Sequence, residues 1–311
     1  MTIILVIIVN PVSLFANEIK NCFSYIPYAF NSLYVTLPTN KDICYYYDTK
    51  KIRLKTNTNG GRIISSKGSG TEIIAFGESQ LLGLDWPQNK NNDPHDLEIL
   101  FPEQKITAYA APNNGPYEWL RKIDILEKNN TNYFQDKEIV LGFNYGTDIF
   151  RIRNSWNPEI VIPFNENDLK YITKSIFLYE LFIIKARLFG KFFQKNTFKS
   201  SEVISEYLSI SRVDNIQNIQ ILLKMIKQSP ILKSKKLSII FYPPWWNYDT
   251  SSIHSERITK DFQYISCIFI KEDIFNEVLV SSPKRRTGSL TYDGRHYINS
   301  ELNYLKKARC D

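Results

Sequence analysis

From residue 71 onward, short apolar runs stopped abruptly by glycine, asparagine or proline alternate with longer stretches whose apolar residues recur at helical spacing. Thr71–Phe76 is such a run, ended by Gly77. Lys105–Ala111 is closed by Pro112-Asn113-Asn114-Gly115-Pro116, and Glu138–Phe143 by a glycine and asparagine cluster. Lys236–Tyr242, stopped by Pro243-Pro244, and Phe262–Ile270 are the remaining two. Bounded apolar runs of this length predict strands buried on both faces. Between them Tyr117–Leu126, Leu169–Phe193 and Ile216–Ile226 read as helices, the second carried by Ile172, Ile176, Tyr179, Phe182, Ile183 and Ala186. Ile298–Leu305 is predicted to close the chain as another helix. Such alternation predicts an α/β domain over residues 71–311, with a mostly parallel sheet covered on both faces.

The first seventy residues follow other rules. Ile3–Val9 is uninterrupted apolar, and the run resumes through Val12, Leu14, Phe15 and Ala16. That is shorter than the ~20 residues a membrane-spanning helix needs, and residues 1–16 match the apolar segment of a signal peptide. No Lys or Arg precedes the run, and Phe15 stands where a small residue is preferred, so a buried strand or a truncated anchor is the alternative. Export to the periplasm or the cell exterior is the expectation, with membrane contact confined to this segment; the alternative leaves the chain cytoplasmic. Export would permit Cys22 and Cys44 to pair without requiring it. Residues 17–70 are rich in Tyr and Asn and read as an extension of short strands and loops. Within it the alternation of Ile52-Arg53-Leu54-Lys55-Thr56 predicts an edge strand. The polar stretch Ser65-Ser66-Lys67-Gly68-Ser69-Gly70 is the expected boundary before the main domain.

Composition removes several classes. With 43% hydrophobic and 14% aromatic residues in 311, the chain can bury a full core and is not disordered. Four cysteines, none in a C-x-x-C pair, exclude a disulfide scaffold, a zinc finger and a thioredoxin-type site. Lys and Arg number 39 against 32 Asp and Glu, a net charge of +7 that favours polyanionic neighbours without choosing one. The basic residues are spread along the chain with no recognition motif, so no nucleic-acid partner is expected. Lys67-Gly68-Ser69-Gly70 precedes a strand, whereas phosphate-cradling loops follow one, and there is no G-x-x-x-x-G-K-[ST]. Neither H-x-H nor H-E-x-x-H occurs, so no metal site is expected.

In a parallel sheet, ligands bind beyond the carboxyl ends of the strands. Gly77-Glu78-Ser79, Asn113-Asn114-Gly115 and Asn144-Tyr145-Gly146 stand there. Ser79 follows a strand directly, with Gln80, Leu81 and Leu82 opening a helix. Its hydroxyl would be exposed over the sheet and the first N–H groups of the helix would face an oxyanion; an ordinary N-cap serine is the bland alternative. Three histidines are available as a general base. His95 and His254 fall in polar stretches and read as solvated loop residues. His296 has Asp293 three residues upstream, a spacing that in a turn lets the carboxylate accept from one imidazole nitrogen and leaves the other free to take a proton.

Together these residues resemble the SGNH, or GDSL-type, hydrolases. Ile73-Ile74-Ala75-Phe76-Gly77-Glu78-Ser79 is similar to the family's first block, with Glu in place of Asp, and Asp293 to His296 match its closing Asp-x-x-His. Gly115 looks like the second-block glycine. Gly142-Phe143-Asn144 is similar to the third block, although Tyr145 replaces its final Asp; a second register at Gly146-Thr147-Asp148 lacks the Asn. Upstream, Asn57-Thr58-Asn59-Gly60-Gly61-Arg62 resembles an Asn-x-x-Gly-x-Arg lead-in of exported SGNH proteins associated with surface polysaccharides. The likeness covers roughly residues 55 to 311.

The resemblance implies a three-layer α/β/α fold with a flavodoxin-like sheet and a catalytic triad of Ser79, His296 and Asp293. Ser79 would attack an ester carbonyl, His296 would carry its proton to the leaving alcohol, and Asp293 would hold the imidazole. The backbone N–H groups of Ser79 and Gly115 and the side chain of Asn144 would bind the oxyanion. No cofactor is needed. The expected substrate is an acylated or acyl-accepting glycan, with Trp245 and Trp246, directly after a strand, offered as stacking faces; core packing is the bland reading of those tryptophans, as of Trp86 and Trp119. Lys284-Arg285-Arg286 would suit an acidic glycan or form a solvated loop. Water as acceptor makes the enzyme an esterase, a sugar hydroxyl an O-acyltransferase; a non-catalytic carbohydrate-binding or assembly protein on the same scaffold is the rival reading.

Overall fold

The structure is a computed structural model that describes residues 22–23, 29–30, 34–47, 50–82, 95–111, 114–144, 174–181, 221–222, 224–233, 235–242, 267–271 and 305–310. The strands predicted from the apolar runs are present as β6 (Glu72–Gly77), β7 (Ile106–Ala110), β8 (Lys137–Asn144), β9 (Leu237–Tyr242) and β10 (Cys267–Lys271). Before them come the two-residue strands β1 (Ala29–Phe30) and β2 (Val35–Thr36), which pair with each other, and then β3 (Asp42–Tyr47), β4 (Lys50–Thr56) and β5 (Arg62–Ser65). A last strand, β11 (Leu305–Cys310), ends the described chain.

Nine of these strands form one mixed sheet in the order β11-β10-β9-β8-β6-β7-β5-β4-β3. The five strands β10-β9-β8-β6-β7 are mutually parallel. Antiparallel pairing adds β11 at one side and β5, β4 and β3 at the other. Parallel and antiparallel strand pairings are therefore equal in number in this sheet, and the mostly parallel sheet expected from the sequence is corrected to an α/β arrangement with a parallel centre and antiparallel wings. Within the centre the strand first in sequence, β6, lies between the second and the third, so the order reverses at β6.

Alternate residues of β6 belong to different cores. Ile73 and Ala75 pack with Leu81, Leu82, Leu97 and Tyr179, whereas Ile74 and Phe76 pack with Trp119, Ile123, Leu126, Leu222 and Ile226. Burial of both faces explains why the sequence of this strand is continuous rather than alternating. The helices that supply these residues are α1 (Ser79–Leu82), α2 (Asp96–Leu100), α3 (Pro116–Asn129) and the helical residues 176–181, 221–222 and 224–228, and α4 (Pro230–Lys233) adds Leu232 to the second core. Helix α3 starts with Pro at its first position, where the missing N–H costs nothing, and buries Trp119, Ile123 and Leu126 along one stripe.

Two local expectations change, at Ile52–Thr56 and at Leu305. Ile52–Thr56 is a strand but not an edge: β3 covers it on one side and β5 on the other, and its alternation reflects one buried face, with Ile52 and Leu54 in the core and Arg53 and Lys55 exposed. Ser65–Gly70 connects β5 to β6 within the same sheet. Of the helix expected over Ile298–Leu305, residues 298–304 lie outside the described residues, and Leu305 begins β11, whose pairing with β10 overrides the helix preference of Leu305-Lys306-Lys307-Ala308-Arg309. Cys22 and Cys44 are joined in a disulfide, and the Phe23 N–H donates to the Cys44 carbonyl at 2.8 Å, so this segment is stapled to β3.

Candidate active site

Register places three of the sequence blocks at one rim of the sheet. Gly77 at the end of β6 pairs with Ala110 of β7 and with Gly142 of β8, so Ser79, the Asn114-Gly115 turn and Asn144 all follow the carboxyl ends of three adjacent parallel strands. Asn144 is the last residue of β8, opposite Tyr242 of β9. Asp293 and His296 lie outside the described residues, in the sequence between β10 and β11. Trp245, Trp246, His254, Thr147 and the apolar run of residues 3–16 lie outside them as well.

Ser79 is the first residue of α1, a single turn closed by the Leu82 N–H donating to the Glu78 carbonyl at 3.0 Å. The turn sits directly on the strand ends because Gly77 and Gly142 leave room for Leu81. A Cβ on Gly77 would meet Leu81 side-chain atoms at 2.7 and 2.8 Å, and one on Gly142 would meet them from 3.0 Å. Leu81 is fully buried in this notch.

Two residues distant in sequence hold the other end of α1. The His95 Nε2–H donates to the Leu81 carbonyl at 3.1 Å, and Nδ1 accepts the Leu97 N–H at 3.1 Å, which assigns a neutral imidazole with its proton on Nε2. His95 thereby caps α2, while the Glu98 carboxylate accepts its backbone N–H at 2.8 Å. The solvated loop histidine expected here is corrected: the ring is 4% exposed because both nitrogens find backbone partners inside the protein. Arg62 of β5 donates from Nη1 to the Leu82 carbonyl. Burial pulls the Arg62 guanidinium below its ordinary pKa, opposed by Tyr45 and Glu98. Loose carbonyls at the end of a one-turn helix are costly when buried, and these two residues meet that need.

The lead-in to Arg62 is built around Asn57. Its Oδ1 accepts the N–H groups of Asn59 and Gly61, and its Nδ2 donates to the Tyr109 hydroxyl at 3.0 Å. Gly60 sits at φ 75°, a left-handed conformation that costs glycine little. The Tyr109 and Tyr133 hydroxyls are 2.7 Å apart. Burial above all, then Tyr133, drives the Tyr109 phenol well above the usual tyrosine range, and Tyr133 is also raised, chiefly by burial.

The second block is committed to the scaffold. The Asn114 Oδ1 accepts the Val35 N–H at 2.8 Å and Nδ2 donates to the Val35 carbonyl at 3.0 Å, so the amide pairs with β2 as a strand residue would. The Gly115 N–H donates to the Glu118 carboxylate at 2.9 Å. The N–H expected at the oxyanion is thus engaged by the start of α3 in this structure. Trp119 is core: its indole N–H donates to the Asn114 carbonyl at 3.1 Å and its ring meets Phe143 edge-on at 6.4 Å. Arg62 and His95 carry no chemical signature of their own; Arg62 was legible only as part of the Asn-x-x-Gly-x-Arg lead-in.

Among the described residues no group of three His, Cys, Asp or Glu could hold a metal ion, and no helix is long and apolar enough to cross a membrane. No protein-family model matches the chain, and no curated protein matches it in sequence.

Proposed function

We propose that this chain is an SGNH-type serine hydrolase that transfers an acyl group from or to a cell-surface glycan, either to water or to a sugar hydroxyl. The observation that carries the reading is the seat of Ser79, on a one-turn helix at the carboxyl end of the strand where the parallel order reverses, beside the ends of β7 and β8. The second-first-third-fourth-fifth order of the parallel strands is that of flavodoxin-like sheets, and cores on both faces fit a three-layer α/β/α arrangement.

In this reading the Ser79 hydroxyl attacks the ester carbonyl and His296 takes its proton. Asp293 holds the imidazolium, and the tetrahedral intermediate is stabilised by the Ser79 N–H and the Asn144 amide. His296 then protonates the leaving alcohol, and a water or sugar hydroxyl releases the acyl group by the reverse sequence. The carboxyl end of β9 lies beside that of β8, and Trp245 and Trp246 follow it within four residues, a suitable place for sugar stacking. Export is part of the proposal, supported by the apolar N-terminal run and by the Cys22–Cys44 disulfide, a bond that persists in oxidising compartments.

A second reading, a carbohydrate-binding protein on this scaffold without turnover, is favoured by one observation: the Gly115 N–H is given to Glu118. A fluorophosphonate probe separates the two. The enzyme labels, and Ser79→Ala does not; acetate is released from p-nitrophenyl acetate or an acetylated polysaccharide by the wild type only. Folded wild-type protein that neither labels nor releases acetate overturns the esterase reading.

A further inference from the structure

The chain has four cysteines, and the bridge between Cys22 and Cys44 accounts for two of them. The others, Cys267 and Cys310, are separated widely in sequence, yet the sheet sets them opposite each other. Cys267 opens β10, Cys310 ends β11, and the two are direct partners in the antiparallel register. The pair lies just before the irregularity at Ile268/Phe269, on the side where the register is in phase with Ile268 and Arg309. Direct partners of an antiparallel ladder share a face of the sheet, with Cα atoms about 4.5 or 5.5 Å apart depending on the type of pair. Both spacings fall inside the range that a disulfide spans without backbone movement.

We propose that Cys267 and Cys310 form a second disulfide, which locks the last strand of the protein onto the sheet. The two thiols lose two electrons and two protons to a disulfide donor, either a dithiol oxidase of the exporting compartment or glutathione disulfide, which leaves as two thiols. The cross-link closes the chain from residue 267 to residue 310. Its outer strand carries Lys306, Lys307 and Arg309, and among the described strands β11 has only β10 as a neighbour, whose ladder hydrogen bonds hold it from one side. The segment between β10 and β11 includes Asp293 and His296. The bridge does not depend on the catalytic reading of those residues, but it would anchor both ends of the segment that bears them.

The full chain, equilibrated in a glutathione buffer poised oxidising, is unfolded in denaturant with an alkylating reagent present and mapped by mass spectrometry without reduction. The expected map shows a linked pair of peptides containing Cys267 and Cys310, no alkylation at either, and alkylation of both only after reduction. In Cys267→Ser, Cys310 becomes the one newly alkylated cysteine and the Cys22–Cys44 link persists. Alkylation of both Cys267 and Cys310 before reduction overturns the proposal, and so does a link from either of them to Cys22 or Cys44.

Discussion

His95→Ala separates two tasks performed by one buried imidazole. Alanine loses the acceptor for the Leu97 N–H, an N-cap worth about 1 kcal/mol. It also leaves the Leu81 carbonyl without its Nε2–H donor, at about 1–3 kcal/mol for a buried acceptor. The expected loss is therefore roughly 2–4 kcal/mol, summing these two contributions. His95→Asn keeps a good cap but is too short to reach Leu81, and should recover about 1 kcal/mol of the loss. Urea unfolding reads both values from the shift in midpoint at unchanged slope. A change under about 0.5 kcal/mol for the alanine variant, or identical midpoints for alanine and asparagine, would refute the assignment of the two bonds. Because Leu81 lies two residues beyond Ser79, the alanine variant should also slow fluorophosphonate labelling while the protein remains folded.

Gly77→Ala places a methyl group against Leu81 and the Gly142 carbonyl and should cost about 1–3 kcal/mol in chemical unfolding, with slower labelling of Ser79; an unchanged midpoint would contradict the tight seat of α1. Cys22→Ser removes a cross-link over 22 residues of sequence separation and should lower stability by about 3 kcal/mol in non-reducing buffer; an unfolding midpoint equal to that of the wild type would contradict a bridge that constrains the chain. Tyr109 is raised above its unfolded value of 10.0, so its neutral form contributes stability that is complete below pH 10 and is lost as the pH climbs beyond it. Unfolding midpoints should fall above pH 10, and less steeply in Tyr109→Phe; an equally steep fall in that variant would count against a buried neutral phenol.

The centre of the sheet was legible because its signals are local. The apolar runs ended by Gly77, by the Pro112–Pro116 turn and by Pro243 each correspond to a parallel strand, and Pro116 marks the start of α3. What escaped is set by distant partners. Leu305-Lys306-Lys307-Ala308-Arg309 is composed of good helix formers and becomes a strand only because β10 offers an open ladder. His95, among Asn, Asp and Pro, has the neighbours of a loop residue, and its burial rests on distant and local backbone partners at Leu81 and Leu97. The strand-to-helix position of Ser79 was legible from Gly77 and the Gln80-Leu81-Leu82 run that follows. No local pattern could reveal that Glu118 claims the Gly115 N–H, since Glu three residues into a helix is common whether or not it reaches back.

The position of Arg62 redefines where the working unit of this protein begins. The arginine that closes α1 rides on β5, the strand that also covers the free side of β7. A chain trimmed to start at residue 71 would lose a tether of α1 and bare the backbone of β7 from Ile106 to Ala108, inviting pairing between molecules. The antiparallel wing is thus part of what holds α1 on the strand ends, and a fragment meant to keep Ser79 in its seat should reach back past the Asn57 turn.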